Sequence, residues 1–281
     1  DGFKAAMKSG DTGNAMKCAY SYDVTCFWAG KKLDELAKNL QETISLMRFH
    51  KNLVLLSIML PIVRLTLRMV SKSATPQQNS LTSVFGETLN EEDIADRVSS
   101  VMMTKLFNGY YEALLFREVD KARDCAEKFF SLQNNLMKFS GSGMYHRIFY
   151  FGLVSFWIGR ETNDKKWIAR GVESKVSIEK LAVIGSGWNF QNKTFLLQAE
   201  QQFSSRNFND AEKLYDDAIF SSKTHKFVNE EALANELAGH FYLDTGRKYR
   251  SLHYFCQAEE KYREWGAVAK ANELANYLRS N

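Results

Sequence analysis

Proline is scarce in this sequence: only Pro61 and Pro76 occur among 281 residues, where average usage of ~5% would place about 14. Proline breaks helices because it lacks a backbone donor and its ring clashes with the preceding turn. Its scarcity therefore leaves long stretches that can run as helix. No convincing alternation of apolar and polar residues over five or more positions is present either, although a half-buried strand would show one. We predict an all-α fold.

Motifs that commonly carry catalysis or bind cofactors are also missing. The sequence has no Walker A loop, no GxGxxG and no HExxH, which excludes the recognisable forms of P-loop, dinucleotide and zinc-protease sites. The five histidines lack the spacing of metal ligands; they are His50, His146, His225, His240 and His253. We expect this segment to be non-catalytic and to hold no cofactor and no metal.

Neither sign of charge dominates, and the cysteines form no motif. Lys and Arg number 37 against 33 Asp and Glu, a net charge of +4, so we expect no nucleic-acid partner. Four cysteines without a CxxC pair are typical of buried thiols in a reducing compartment. Since the sequence begins at Asp1 without a signal peptide, we interpret it as a cytoplasmic segment of a longer chain.

One apolar run, residues 53–70, requires a membrane test. Arg64, Arg68 and Pro61 fall within it. A charge at mid-membrane costs at least ~2.5 kcal/mol on the insertion scale. We therefore predict a buried helix and no membrane span.

Apolar residues recur at helical spacing over most of the chain. The pattern predicts N-terminal helical pairs at 1–72, middle pairs at 91–186, and C-terminal repeats with a closing helix at 187–281. Residues 73–90, with Pro76, are predicted to be a mobile loop, and 140–143 a turn. Asp11 is a good N-cap for a first helix that Gly30 ends. Clear helices are predicted at 208–224 and 248–265.

The two C-terminal helix pairs superpose at an offset of 40 residues. Small residues recur where helices would approach closely, an aromatic residue follows four positions later, and an alanine follows three after that. The matched positions are Ala199 with Gly239, Ala211 with Ser251, Tyr215 with Phe255, and Ala218 with Ala258. This is the internal pattern of tetratricopeptide-type repeats. We predict an α-solenoid of antiparallel tetratricopeptide-like helix pairs, coiled into a right-handed superhelix.

In such arrays the first helix of each pair lines the concave face. Polar side chains there would suit the capture of a peptide or another domain. The candidates are Lys193, Glu200, Asn235, Glu236, His240 and Tyr242. The alternative is that residues such as Asn235 and Glu236 only cap or bridge neighbouring helices.

Several stretches resemble the helical-repeat region of large multidomain signalling ATPases. They are FVNEEALANELAGHFYLDTG at 227–246, the segment 258–269 with Trp265-Gly266-Ala267, SGDTGN at 9–14, FWAGK at 27–31, NFQNK at 189–193 and LLQAE at 196–200. Those proteins join a Ser/Thr-kinase-like domain, a STAND- or AAA-type predicted ATPase, a GAF domain and a histidine kinase or cyclase. The resemblance implies that nucleotide binding and phosphotransfer lie outside these residues. It is weakest across 71–100.

We therefore expect a regulatory relay segment, which binds a protein or peptide partner or a ligand and couples an ATPase module to a kinase or cyclase output. Its other partners would be domains of the same polypeptide. One alternative is a passive peptide-binding scaffold. A further alternative is a helical enzyme domain with a pocket between helices, which a buried cluster of carboxylates or histidines with shifted pKa values would support.

Overall fold

The computed structural model describes residues 1–71, 99–135 and 144–280. Every regular element in these ranges is a helix, which confirms the all-α prediction. The helices are α1 (Gly2–Lys8), α2 (Thr12–Trp28), α3 (Leu33–Phe49), α4 (Leu53–Val70), α5 (Ser99–Leu115), α6 (Val119–Asn135), α7 (Met144–Thr162), α8 (Lys165–Ile184), α9 (Gly187–Ser204), α10 (Phe208–Thr224), α11 (Val228–Asp244), α12 (Lys248–Trp265) and α13 (Val268–Ser280). The predicted loop at 73–90 and the predicted turn at 140–143 lie outside the described residues.

Local signals set the helix ends. The Asp11 side chain accepts a hydrogen bond from the Asn14 amide at 3.0 Å and caps α2, as predicted. Gly30 follows the end of α2 with a φ of +73°, a conformation that costs glycine little. The predicted helices at 208–224 and 248–265 are confirmed to the residue in α10 and α12.

The same turn recurs through the C-terminal third. Each of the last four turns contains one residue with a left-handed backbone, and these residues are spaced by 20: Arg206, Lys226, Gly246 and Gly266. The amide that follows each donates to the carbonyl five residues earlier, at 2.8–2.9 Å, which is the Schellman arrangement. A unit of two helices therefore returns every 40 residues, the same offset that the sequence comparison gives.

Helices adjacent in sequence pack against each other along the described chain, for example α9 with α10 and α11 with α12. Helices α8 and α9 contact each other across the predicted division at 186–187; that division stays a prediction. All eight matched repeat positions are buried. A methyl group on Gly239 would lie 2.6 Å from the Phe255 ring, so the small residue permits the close approach of α11 and α12.

The turn between α2 and α3 packs against helices from much later in the chain. The Asn229 side-chain amide on α11 donates to the Trp28 carbonyl at 3.3 Å. The Trp265 indole N–H on α12 donates to the Lys31 carbonyl at 3.1 Å. Helix α13 also contacts α4. The first and last parts of the described chain are thus joined by direct contacts, which sequence neighbours alone would not supply.

Trp28 occupies the centre of this junction. Its ring lies 5.1 Å from Tyr111 and 5.4 Å from Tyr150, and it stacks on His146 at 4.7 Å. Burial, together with the charge of Lys193, lowers the pKa of His146 well below its ordinary value. The imidazole is therefore a neutral member of an aromatic core.

Helix α4 is long and apolar enough to cross a membrane by length and composition, and half of it is buried within the fold. A core helix meets the same test. Arg68 on α4 donates to Glu112 at 2.6 Å and to Glu118 at 2.9 Å, and its guanidinium lies over the Phe116 ring. These contacts tie α4 to the α5–α6 turn, and the absence of a membrane span stays a prediction.

Candidate functional site

Five of the six predicted groove residues lie in the interior. Lys193, Glu200, Asn235, Glu236 and Tyr242 are each no more than 3% exposed, and only His240 is partly exposed. The expectation that these side chains line an open inner groove is therefore corrected. Buried charges must be paired or hydrogen-bonded, because burial removes their hydration, and the structure pairs them with groups on neighbouring helices.

Lys193 on α9 forms a buried ion pair with Glu230 on α11, with 2.7 Å between Nζ and Oε2. Lys193 also donates to the carbonyl of Asn189 at 3.1 Å, and its ammonium lies 4.9 Å from the centre of the Phe227 ring. The Asn192 side-chain amide donates to the same Glu230 carboxylate. This network holds α9 against α11.

Glu236 on α11 has partners on two other helices. The Lys270 ammonium on α13 lies 2.7 Å from Oε1, and the Tyr262 hydroxyl on α12 donates to Oε2 at 2.7 Å. Burial by itself would raise the pKa of Glu236, but the charges of Lys270 and His240 lower it to about 2. Glu236 is thus ionised and bridges three helices.

Asn235 and Tyr242 also have partners inside the fold. The Asn235 side-chain amide donates to the Glu231 carbonyl one turn earlier, at 2.8 Å. The Tyr242 ring stacks on Tyr254 at 5.0 Å. The contacts of Glu236 match the alternative in which these residues bridge neighbouring helices, whereas the Asn235 hydrogen bond lies within α11 itself.

Glu200 and His240 instead reach a cavity of about 290 Å³, which we call the Arg117 pocket. The cavity is lined by α7, α9, α11 and the turn between α5 and α6. Its charged or titratable residues are Arg117, Arg160, Glu161, Glu200, His240 and Asp244. Its aromatic and aliphatic walls are Trp157, Phe203 and Leu237.

One wall of the Arg117 pocket is held by Arg160. Its guanidinium donates to Glu200 at 2.6 Å and to the Ser204 hydroxyl at 3.1 Å, and it lies 4.2 Å from the Phe203 ring centre. The other Glu200 oxygen accepts from the Tyr215 hydroxyl at 2.6 Å. Both charges are therefore compensated within the protein, and their geometry is fixed before any ligand arrives.

Arg117 differs from Arg160, because its guanidinium forms no ion pair or hydrogen bond with any residue that the structure describes. It follows α5 in a left-handed conformation with a φ of +55°, and its guanidinium carbon stacks 4.1 Å from the Trp157 ring centre. Burial lowers the pKa of Arg117, and the charges of Glu236 and Glu200 partly offset this effect. An arginine keeps its proton at neutral pH. The pocket thus contains a positioned cation whose five donors are available.

The remaining charges of the pocket are acidic. The Glu161 carboxylate accepts from the Trp157 indole N–H at 3.1 Å, and both Glu161 and Asp244 are exposed. Burial raises the pKa of Asp244, against the charges of His240 and Arg117. For His240, burial lowers the pKa more than the Glu236 carboxylate, 3.8 Å from Nε2, raises it. The imidazole is therefore mainly neutral at neutral pH.

Chemically, the arrangement is suited to holding a small charged molecule. Within residues 1–71, 99–135 and 144–280, no three His, Cys, Asp or Glu side chains are grouped as a metal site requires. All four cysteines are free thiols, but the expectation that they are buried is wrong for Cys18 and Cys256, which are exposed. No protein-family model matches the chain, and a comparison with curated proteins found no match either. The resemblance to signalling ATPases therefore depends on the quoted sequence stretches alone.

Sequence reasoning missed Arg117, Trp157, Arg160 and Asp244. Arg117 did carry a signal, since it stands two residues after the end of α5, at the position where glycine or asparagine is usual. The other three residues sit in ordinary helical positions, and nothing in their spacing points to a shared cavity.

Proposed function

We propose that this chain is a non-catalytic binding and relay segment, built as an α-solenoid of antiparallel tetratricopeptide-like pairs in a right-handed superhelix. Two observations support the solenoid: neighbouring helices pack in chain order, and the same turn returns every 20 residues at Arg206, Lys226, Gly246 and Gly266. In a solenoid each repeat contacts mainly its neighbours. This chain has additional contacts, since the α2–α3 turn packs against α11 and α12, and α4 packs against α13.

The observation that carries the binding role is the composition of the Arg117 pocket. Its walls come from every second helix in this part of the chain, α7, α9 and α11, and from the α5–α6 turn. A ligand in the pocket contacts all of them at once. It therefore stabilises one set of helix positions over others, by the difference of its affinity for the two arrangements.

The relay role follows from the resemblance to signalling ATPases. In this proposal the segment lies between a nucleotide-binding module and a kinase or cyclase output in a cytoplasmic protein. A ligand in the pocket favours one set of helix positions, and the flanking domains of the same polypeptide respond to these positions. The coupling free energy between the pocket and the output module then sets how much the output changes between the empty and the occupied pocket.

The test uses Arg117→Gln and Asp244→Asn in the full-length protein. We expect both variants to change the output activity, because each removes a pocket charge without altering a helix core. Arg123→Gln is the matched control, since Arg123 is an exposed arginine of α6 that pairs with Asp120 and does not line the pocket.

If the pocket variants change only the retention of a protein partner, the segment is a passive peptide-binding scaffold. If they change neither output nor partner retention, the pocket has no part in the function and the proposal is wrong.

One observation favours an enzyme as the second candidate. Asp244, with its raised pKa, and His240, with its lowered pKa, line the same cavity, and such groups are common in active sites. Both shifts have burial as their largest cause, and they are equally compatible with binding. Turnover of a bound compound that is lost in His240→Gln would support the enzyme.

A further inference from the structure

The charges of the Arg117 pocket do not balance among the residues that the structure describes. Arg160 and Glu200 compensate each other at 2.6 Å. Arg117 then remains as one cation without an ionic partner among the described residues. Glu161 and Asp244 remain as two carboxylates, since neither forms an ion pair within the described part of the chain. The best complement is a ligand with one negative and two positive groups.

The geometry of Arg117 specifies the negative group. Its guanidinium carbon lies 4.1 Å from the centre of the Trp157 ring, so the position of the donors is set in advance. A planar fork of N–H groups matches a carboxylate, which it can bind with two parallel hydrogen bonds. Holding the fork in place reduces the rotamer entropy that binding would otherwise lose.

The size of the cavity limits the ligand. Its volume of about 290 Å³ is at the lower end of the range for small-molecule pockets. A free amino acid with a long side chain suits a pocket of this size. Phe203 and Leu237 supply apolar surface for the methylene groups of such a side chain.

We propose that the Arg117 pocket binds a free basic α-amino acid, with its carboxylate on Arg117 and its two cationic groups towards Asp244 and Glu161. This inference rests on the proposed binding function, because it names the ligand class of the same pocket. A neutral amino acid leaves one pocket carboxylate without an ionic partner, and an acidic one adds a repelling charge.

Isothermal titration of the chain tests the ligand class without any variant. The probes are L-arginine, L-norleucine, L-glutamate, and agmatine, which is arginine without its carboxylate. We expect L-arginine to bind with one site per chain. Agmatine should bind at least tenfold more weakly, because a hydrogen-bonded ion pair is lost, and L-glutamate should bind more weakly than L-norleucine.

Two variants then assign the contacts. Arg117→Gln should weaken L-arginine binding by about tenfold or more. Asp244→Asn should reduce the preference for L-arginine over L-norleucine. Arg123→Gln, the control outside the pocket, should bind L-arginine like the unsubstituted chain. Circular dichroism melting of each variant shows whether its fold is retained.

The proposal is overturned if L-arginine does not bind at millimolar concentration, or if agmatine binds as tightly as L-arginine. Failure of the ligand class can be told apart from failure of the proposed function. If no amino acid binds but Arg117→Gln still changes the output of the full-length protein, the ligand is wrong and the relay stands. If L-arginine binds but the output never responds to Arg117→Gln, the ligand stands and the relay is wrong.

Discussion

The ammonium nitrogen of Lys270 lies 2.7 Å from a carboxylate oxygen of Glu236, and the two side chains are only 1% and 2% exposed. Such a pair adds little net stability, since desolvation of both charges offsets their attraction. It does penalise every packing that separates them. The pair therefore specifies how α13 lies against α11.

Removing one charge of this pair should be costly, and removing both should not. Lys270→Met leaves Glu236 buried without its main partner, and we expect a loss of about 3–5 kcal/mol in the free energy of unfolding. Lys270→Met with Glu236→Gln should recover most of the loss, because glutamine still accepts from Tyr262. Urea unfolding measures each value. Lys128→Met, in an exposed pair with Asp124, should leave stability nearly unchanged. A double variant as unstable as the single one would contradict the explanation.

Stability should fall in acid partly through Glu236. Its pKa in the folded protein is about 2, below the ordinary 4.5, so folding favours the ionised form. The resulting stability is fully present above about pH 4.5 and is lost as the pH falls towards 2. Urea unfolding at pH 6, 4 and 3 should show a smaller loss for Lys270→Met with Glu236→Gln than for the unsubstituted chain. Equal losses of stability in both proteins would show that Glu236 does not contribute to the acid sensitivity.

Ala211 tests the repeat register. Its side chain is fully buried on α10, so Ala211→Leu should overpack its surroundings and destabilise the protein by about 1–3 kcal/mol. The matched control is Ala169→Leu, which adds the same atoms to an exposed position of α8. Thermal melting compares the two variants. An unchanged melting temperature for Ala211→Leu would mean that this position is not a helix contact.

A comparison of Gly30→Ala with Gly246→Ala distinguishes the energetic cost of backbone strain from that of packing. Both glycines have a left-handed backbone, with φ values of +73° and +76°. A methyl group on Gly30 would lie 2.6 Å from the Asn229 carboxamide oxygen, whereas one on Gly246 would meet nothing within 4 Å. Gly246→Ala should therefore cost only about 1–2 kcal/mol from the backbone.

Gly30→Ala should cost about 1–3 kcal/mol more than Gly246→Ala, because the α2–α3 turn must move away from α11. Urea unfolding measures both losses. Equal losses in the two variants would show that the α2–α3 turn does not pack closely against α11 in solution.

Helix positions were predictable because their signals are local. The helix α10 begins and ends where predicted, and Asp11 caps α2 through a contact three residues away. The offset of 40 residues was also visible, since small residues recur wherever two helices must approach closely. The pairing of the helices and their superhelical hand stay predictions.

The candidate site was only partly predictable. Glu200 and His240 were named from the sequence and do line the Arg117 pocket. Lys193 and Asn235 were expected on an open surface and are buried. Helical periodicity indicates which face of a helix is polar, but it does not indicate whether another helix will cover that face.

The sequence by itself determined that the chain is helical and where helices such as α10 and α12 begin and end, because hydrogen bonds and caps join residues within about four positions of each other. The tertiary structure alone decided which charges are buried and which remain available. Lys193 meets Glu230 from 37 residues away, and Asn229 meets Trp28 from 201 residues away. Among the described residues, Arg117 has no ionic partner because of how α7, α9 and α11 meet around it, and that arrangement depends on tertiary packing.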